Sequence, residues 1–226
     1  MKSRETRGKE IELVDFPEEL KDLAESYALE ILSHGRPGWD VPHTLAVVSW
    51  ANKLAMTQGL DVLVLTMAAY LHDIGYYGQF DGLQSAGLDQ VMDKKEKHMV
   101  VGAAMATIFL NSAEISKYLL SDQVKRIIHL VAVHDRVEHL NDLDELVLME
   151  ADSLGAIDVD FVEPTYKGEE ALNYLTTRMV KRRRRFITPE AMRAYDNLAE
   201  RFRAFVEVRD LLPAELERLT NEGGPN

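Results

Sequence analysis

The sequence predicts an all-α protein whose helices pack into a single bundle. Apolar residues recur at intervals of three and four along most of the chain, which is the spacing of one helix face. Alternation of apolar and polar residues is brief and confined to residues 157–163, which we interpret as a connecting loop. With 226 residues, 46% of them hydrophobic, the chain is long enough for one large domain with its own core.

Capping and breaking residues set the order of the helices. Pro17 is typical of a first helical turn, Asp61 of an N-cap, and Thr188-Pro189 of an N-cap followed by proline. Residues 61–72 are apolar on nearly every face, so they should form a central, buried helix. The predicted helices cover residues 17–33, 43–58, 61–72, 96–112, 121–134, 142–157, 166–186, 188–208 and, as a short acidic helix, 213–220.

Residues 17–212 are predicted to form one domain, with the C-terminal helices packed on its core rather than in a separate unit. Residues 1–16 are interpreted as a polar N-terminal extension, and residues 213–226 as a C-terminal helix and a frayed tail. Residues 74–95 contain four glycines with aromatic residues between them. We expect a long loop there, beside the end of the central helix, and loops of that length are usually functional or mobile.

Composition excludes several classes of protein. The formal net charge of −12 disfavours a protein that coats nucleic acid, because such proteins usually present a basic surface. Without cysteine the chain cannot form disulfides, zinc ribbons, iron–sulfur clusters or a thiol nucleophile. The polar start has no apolar signal core, and no apolar run approaches the length of a membrane span. We therefore expect a cytoplasmic protein without membrane contact.

The predicted central helix ends on an adjacent histidine and aspartate, His72 and Asp73. Imidazole and carboxylate together suit Mn, Fe, Zn, Ni or Co better than an ion that seeks thiolate. Further candidates lie elsewhere in the chain on predicted buried helix faces: His43, His98, His134 and Asp152. A single buried histidine is more often a hydrogen-bonded core residue than a ligand. Six such groups, however, would be costly to bury without a shared partner, so the pattern predicts a metal centre.

The number of ions is left open by the residues. His43, His72, Asp73 and Asp152 form the primary candidate set, and His98 and His134 are candidates for a second ion. Gly102 lies on the predicted face of His98, where the missing side chain would leave space for an ion. We expect one or two divalent ions, from Mn, Fe, Zn, Ni, Co or Mg.

These motifs resemble the HD-domain metal-dependent phosphohydrolase superfamily. Residues 69–75, Ala-Tyr-Leu-His-Asp-Ile-Gly, are similar to its signature helix end, and residues 149–156, Met-Glu-Ala-Asp-Ser-Leu-Gly-Ala, to its last ligand motif. Residues 188–206 are similar to the closing helices of a bacterial subgroup of small HD hydrolases. The resemblance implies an all-α HD-domain bundle with the metal site at its centre. It also implies His43, His72, Asp73 and Asp152 as primary ligands, with Asp73 bridging where a second ion binds.

The chain departs from the family pattern in two places. The Gly-Tyr-Pro signature of HD-GYP phosphodiesterases is absent, which disfavours hydrolysis of cyclic-di-GMP. Pro42 precedes His43 where the family usually has aspartate, and Asp40 lies nearby but out of register.

The chemistry implied by this site is attack of metal-activated water on a phosphate ester or anhydride. Asp73 and His72 are the predicted catalytic residues. Two aspartates and four neutral histidines leave a negative site that two divalent ions would reverse, so an anionic substrate is expected, either a nucleotide or a small phosphorylated metabolite. Candidate substrate contacts are the basic residues Lys53, Lys97, Arg136 and Arg182.

Arg182 belongs to a run of five cations at residues 181–185, which is open to three interpretations. The run can be a solvated face, a phosphate clamp for a nucleotide, or a nucleic-acid patch, the last being disfavoured in an acidic protein. Tyr76, Tyr77 and Phe80 can stack on a base or simply pack.

Two other functional classes remain open from the sequence. A mixed-valent di-iron oxygenase would use the same six ligands, and a non-catalytic HD module would bind a nucleotide and signal. The intact ligand set disfavours the signalling module, and the closing helices favour hydrolysis. The sequence also leaves a homodimer open, with an exposed Trp39 and the 74–95 loop as candidates for its interface.

Overall fold

The computed structural model describes residues 17–83 and 86–212, and these residues form helices without any strand. The helices are α1 Glu18–Leu32, α2 Asp40–Gln58, α3 Val62–Leu71, α4 Leu88–Asp93, α5 Lys95–Leu110, α6 Ala113–Ser116, α7 Ser121–Val133, α8 Leu143–Gly155, α9 Gly168–Asn173, α10 Val180–Arg183 and α11 Pro189–Val206. Short 3₁₀ turns cover Ile74–Tyr76 and Val137–His139, and π-helical turns cover Tyr174–Met179 and Glu207–Leu211.

The all-α prediction is confirmed, and the differences lie in short elements. The predicted loop at 74–95 contains α4, and α6 was not predicted either, because six and four residues are too few to show a helical period. The predicted helix at 166–186 is α9 and α10 joined by a π-helical turn. The predicted N-terminal extension, the helix at 213–220 and the tail lie outside the described residues.

Helix α3 lies at the centre of the bundle. Every residue from Leu63 to Leu71 is buried, as its uniformly apolar sequence predicted, and α2, α7 and α8 pack around it. Asp61 caps the helix by accepting a hydrogen bond from the Val64 amide at 3.1 Å. Gly59 ends α2 in the left-handed conformation with φ 64°, which glycine adopts without strain. Among the described helices, none is both long and apolar enough to cross a membrane.

The turn that follows α3 touches α5 backbone to backbone. A β-carbon on Gly75 would lie 1.9 Å from the carbonyl oxygen of His98 and 2.6 Å from the amide nitrogen of Gly102. Gly102 faces back toward the Gly75 amide, so its missing side chain makes room for this turn. The expectation that Gly102 leaves space for an ion is therefore corrected: the space is filled by the chain that follows His72 and Asp73.

Glu150 joins helix α8 to the start of α11. Its carboxylate accepts hydrogen bonds from the amides of Ile187 at 2.5 Å and Thr188 at 2.9 Å, and from the Thr188 hydroxyl at 2.7 Å. Thr188 in turn caps α11 by accepting from the Ala191 amide at 3.2 Å. The C-terminal helix is thus held against the same helix that carries Asp152, two residues after Glu150.

Replacing Glu150 with alanine should destabilise the protein by about 2–4 kcal/mol, because buried donors at the start of α11 lose their acceptor. Glu200→Ala, an exposed change on α11 itself, is the matched control and should lie within about 0.5 kcal/mol of wild type. Chemical denaturation of both variants measures this difference. Equal stabilities for the two variants would contradict the capping role.

Candidate metal centre

Five helical segments bring the six predicted ligands to one place. His43 comes from α2, His72 and Asp73 from the end of α3, His98 from α5, His134 from the end of α7 and Asp152 from α8. The four histidines and Asp73 are buried, and the side chain of Asp152 is 13% exposed. The first and last of these six polar groups are more than 100 residues apart in the sequence, yet all six share one buried centre.

Asp73 lies between two pairs of histidines and offers one oxygen to each pair. Its Oδ2 is 3.4 Å from Nε2 of His72 and 3.8 Å from Nε2 of His43. Its Oδ1 is 3.4 Å from Nε2 of His98 and 3.5 Å from Nε2 of His134. Each pair together with Asp73 forms a compact group that could hold one ion, and Asp73 is common to both groups.

The hydrogen bonds of two rings fix which nitrogen faces the centre. Nδ1 of His72 is 2.8 Å from the carbonyl oxygen of Ala69, and Nδ1 of His134 is 2.9 Å from that of Val131. A carbonyl oxygen only accepts, so each Nδ1 carries a hydrogen. In the neutral rings Nε2 then bears a lone pair, which is the state that ligates a metal.

These lone pairs face other imidazole nitrogens at short range. Nε2 of His72 lies 3.4 Å from Nε2 of His43, and Nε2 of His98 lies 3.2 Å from Nε2 of His134. Two ring nitrogens at this distance repel unless a proton or a cation lies between them. The other ring nitrogens of His43 and His98 are buried without a hydrogen-bond partner in the described part of the chain. The donor set and its convergence therefore fit a divalent ion on each side of Asp73.

Asp152 lies next to His43 and is held by Arg182. Its Oδ1 is 3.2 Å from Nε2 of His43, while Oδ2 accepts a hydrogen bond from the guanidinium of Arg182. Burial alone would raise the pKa of Asp152, but Arg182, His43 and His72 together outweigh burial and hold that pKa well below its usual range. Arg182 also donates to Ser153 at 2.7 Å and to Asp135 at 2.5 Å. Asp152 is thus an ionised carboxylate in a fixed orientation.

Arg36 plays the same part for Asp73, and sequence analysis missed it. Its guanidinium donates to Asp73 Oδ2 at 2.6 Å and to Asp40 Oδ1 at 2.5 Å, and its backbone amide donates to Asp40 Oδ2 at 2.5 Å. Burial would raise the pKa of Asp73, but His72 and Arg36 hold it well below its ordinary value. Arg36 stands between Gly35 and Pro37, and a cation in such a rigid loop just before a ligand helix was the available signal.

Comparison with known proteins identifies the family. The HD domain family model matches residues 41–157, slightly more than half of the chain. The chain belongs to the HD-domain family. A crystal structure of a predicted HD superfamily hydrolase from an uncultured Thermotogales bacterium is similar to it, at 20% identity over 92% of each chain and a TM-score of 0.48. No curated protein matches the chain.

Two aromatic residues of this HD domain stack on the histidine rings of the centre. Trp39 is buried and stacks on His43 with ring centroids 5.5 Å apart, which corrects the expectation of an exposed interface tryptophan. Tyr76 stacks on His98 at 4.1 Å and lies under the Arg36 guanidinium at 4.4 Å. Phe80 is buried against Tyr76, whereas Tyr77 is exposed.

A cavity of about 1090 Å³ opens from the centre of the HD domain. Its lining includes two of the four predicted substrate contacts, Arg136 and Arg182, and not Lys53 or Lys97. Lys53 instead lies over the ring of Trp50 at 4.8 Å, and Lys97 is exposed. Arg136 forms an ion pair with Glu96 at 3.0 Å. Lys53 and Lys97 were predicted as substrate contacts because they lie near ligands in the sequence, but neither lines the cavity.

Metal binding to this HD domain should release a proton from His72. Burial alone would lower the pKa of His72, but the adjacent Asp73 carboxylate, together with Asp152 and the hydrogen bond to Ala69, outweighs burial and raises that pKa to about 9. A cation at Nε2 must displace this proton, so affinity should rise about tenfold per pH unit below pH 9 and level off above it. Burial lowers the pKa of His134, so its ring should contribute no proton at neutral pH. Calorimetric titration in two buffers of different ionisation enthalpy measures the release. A metal affinity that does not change between pH 7 and pH 9 would contradict it.

Proposed function

We propose that this HD domain is a metal-dependent phosphohydrolase that acts on a phosphate ester or anhydride of a nucleotide or small phosphorylated metabolite. The observation that carries the proposal is the position of Asp73, whose two oxygens face two separate histidine pairs at the end of a large cavity. Paired divalent ions that share a carboxylate are a recurrent arrangement in phosphate-cleaving sites.

The donor set favours a first-row transition ion. Four imidazole nitrogens surround Asp73, and imidazole suits Fe, Zn or Ni, while carboxylate oxygens extend the range to Mn. When bound, such an ion acidifies water and polarises a phosphoryl oxygen. We propose that His72 and Asp73 hold the ion that activates water, and these two residues are therefore the proposed catalytic residues.

The charges around the centre favour an anionic substrate once metal is present. With the histidines neutral, the four carboxylates and three cations that are paired there leave one negative charge: Asp40, Asp73, Asp135 and Asp152 with Arg36, Arg182 and Lys95. A single divalent ion makes this balance positive, and a second ion makes it more so. Burial strengthens the attraction for phosphate because the surroundings screen it less than bulk water does.

The arginines also limit how the two aspartates can move. Arg36 and Arg182 are each nearly enclosed, with side chains 12% and 15% exposed, and each is bound to a second carboxylate besides the proposed ligand. Asp40 and Asp135 therefore anchor the arginines, and the arginines orient Asp73 and Asp152. Such supporting contacts hold metal ligands in position and are usually worth 10–100-fold in affinity, roughly.

Anaerobic turnover tests the proposal. Protein purified without chelator should release phosphate or pyrophosphate from members of a nucleotide and sugar-phosphate panel without oxygen. Chelation should stop the release, and adding Mn²⁺, Fe²⁺, Ni²⁺, Co²⁺ or Zn²⁺ should restore it. Oxygen consumption without phosphate release would show the oxygenase chemistry instead. Nucleotide binding without turnover, at full metal content, would show a non-catalytic module.

A further inference from the structure

The cavity is larger than a single phosphate group requires. At about 1090 Å³ it lies slightly above the usual range for pockets that enclose a drug-sized ligand or cofactor. Its wall is built by α4, the end of α7, and the helical segment from α9 to α10. A substrate larger than one phosphate group would extend from the metal centre along this wall.

The cations of the wall divide into two groups. Six line the cavity, and four are neutralised by carboxylates within ion-pair distance: Arg36, Lys95, Arg136 and Arg182. The other two, Arg178 and Lys181, have no such carboxylate within the ranges that the structure covers. Their charges remain available to an anionic ligand.

Arg178 and Lys181 line the cavity that opens from the metal centre, on the same helical segment as Arg182. All three residues line the same cavity, and Arg178 precedes Arg182 by four residues, about one helical turn. Tyr174 lines the cavity one turn before Arg178. The turn that carries Tyr174 and Arg178 is π-helical, a distortion that is frequent at functional sites.

We propose that Arg178 and Lys181 bind a second anionic group of the substrate, a phosphate or a carboxylate, while the scissile phosphate lies at Asp73. The preferred substrate is then a phosphate ester or anhydride that carries two separated anionic groups. This inference rests on the proposed function. It separates residues 181–185 by role, because Arg182 orients Asp152, Lys181 faces the ligand, and Arg184 is exposed away from the main cavity.

Binding of minimal probes to the metal-loaded protein tests this inference. Three probes share one three-carbon linker: propyl phosphate carries no second anion, 3-phosphonooxypropanoate carries a carboxylate, and propane-1,3-diyl bisphosphate carries a second phosphate. Longer homologues vary the distance between the two anionic groups. Calorimetry should show at least one doubly anionic probe binding about tenfold or more tightly than its singly anionic counterpart. Comparing the two doubly anionic series shows which second group is preferred.

The double variant Arg178→Gln/Lys181→Gln should lose this preference, so that the ratio of affinities falls to about one. Arg184→Gln/Arg203→Gln removes the same charge from exposed positions and should keep the preference. A preference that is absent at every linker length, or that survives in the first double variant, overturns the inference. The proposed function is overturned instead if wild-type protein does not bind propyl phosphate, or if the Asp73→Asn variant still binds it.

Discussion

Replacing Asp73 with asparagine should reduce phosphate release by at least about three orders of magnitude, because this one carboxylate serves both histidine pairs. The amide has the same shape but a single oxygen, so one pair would face an NH₂ group that cannot ligate a cation. The change also removes the negative charge that Arg36 contacts at 2.6 Å. Activity, metal content and far-ultraviolet circular dichroism should be measured together, and the helical signal should persist.

Asp196→Asn is the matched control, since Asp196 is a mostly exposed carboxylate that contacts Arg183 at 3.4 Å. The control should retain wild-type metal content and activity, as expected for an exposed ion pair. Full turnover by Asp73→Asn would refute the assignment of Asp73 as the shared ligand.

Gly75→Ala should have the largest effect on stability. The added β-carbon would lie 1.9 Å from the His98 carbonyl oxygen and 2.6 Å from the Gly102 amide nitrogen, and both of these are backbone atoms that cannot rotate away. Overpacking of this kind costs about 3 kcal/mol or more, which corresponds to a fall in Tm of roughly 10 °C for a chain of this size. The turn that follows Asp73 would also move away from His98, so metal content should fall with stability.

Gly87→Ala provides the comparison for this glycine. The nearest atom to its added β-carbon is the flexible side-chain oxygen of Gln90 at 3.7 Å, and its φ of −71° suits any residue. Its Tm should stay within a few degrees of wild type. Thermal unfolding followed by circular dichroism measures both variants. A Gly75→Ala protein with wild-type Tm would show that the turn and α5 do not need this close approach.

The ligand candidates could be placed from sequence because each interrupts an otherwise apolar helix face. His134 follows the buried residues Ile127, Leu130 and Val131 at helical spacing, so its own burial was expected. Burial of a polar group requires a partner, and six such groups with compatible chemistry implied a shared one. Their convergence on one carboxylate is a property of the packing that no single segment reveals.

Arg36 and Trp39 could not be placed in this way, because both lie between helices. A periodic pattern shows which face of a helix is buried, but it does not show the path of the chain after the helix ends. The structure turns residues 33–39 back over the centre, so that Arg36 reaches Asp73 and Trp39 covers His43. Gly102 was misassigned for a related reason, since a missing side chain marks a close approach without saying what approaches.

Elemental analysis of the protein purified without chelator tests the shared role of Asp73 most directly. We expect about two transition-metal ions per chain in wild type and about one in His98→Ala, because that variant removes a ligand from one side of Asp73 only. His129→Ala changes an exposed histidine that pairs with Glu145 outside the ligand set, and it should retain both ions. A metal content that His98→Ala leaves unchanged would contradict an ion on each side of Asp73.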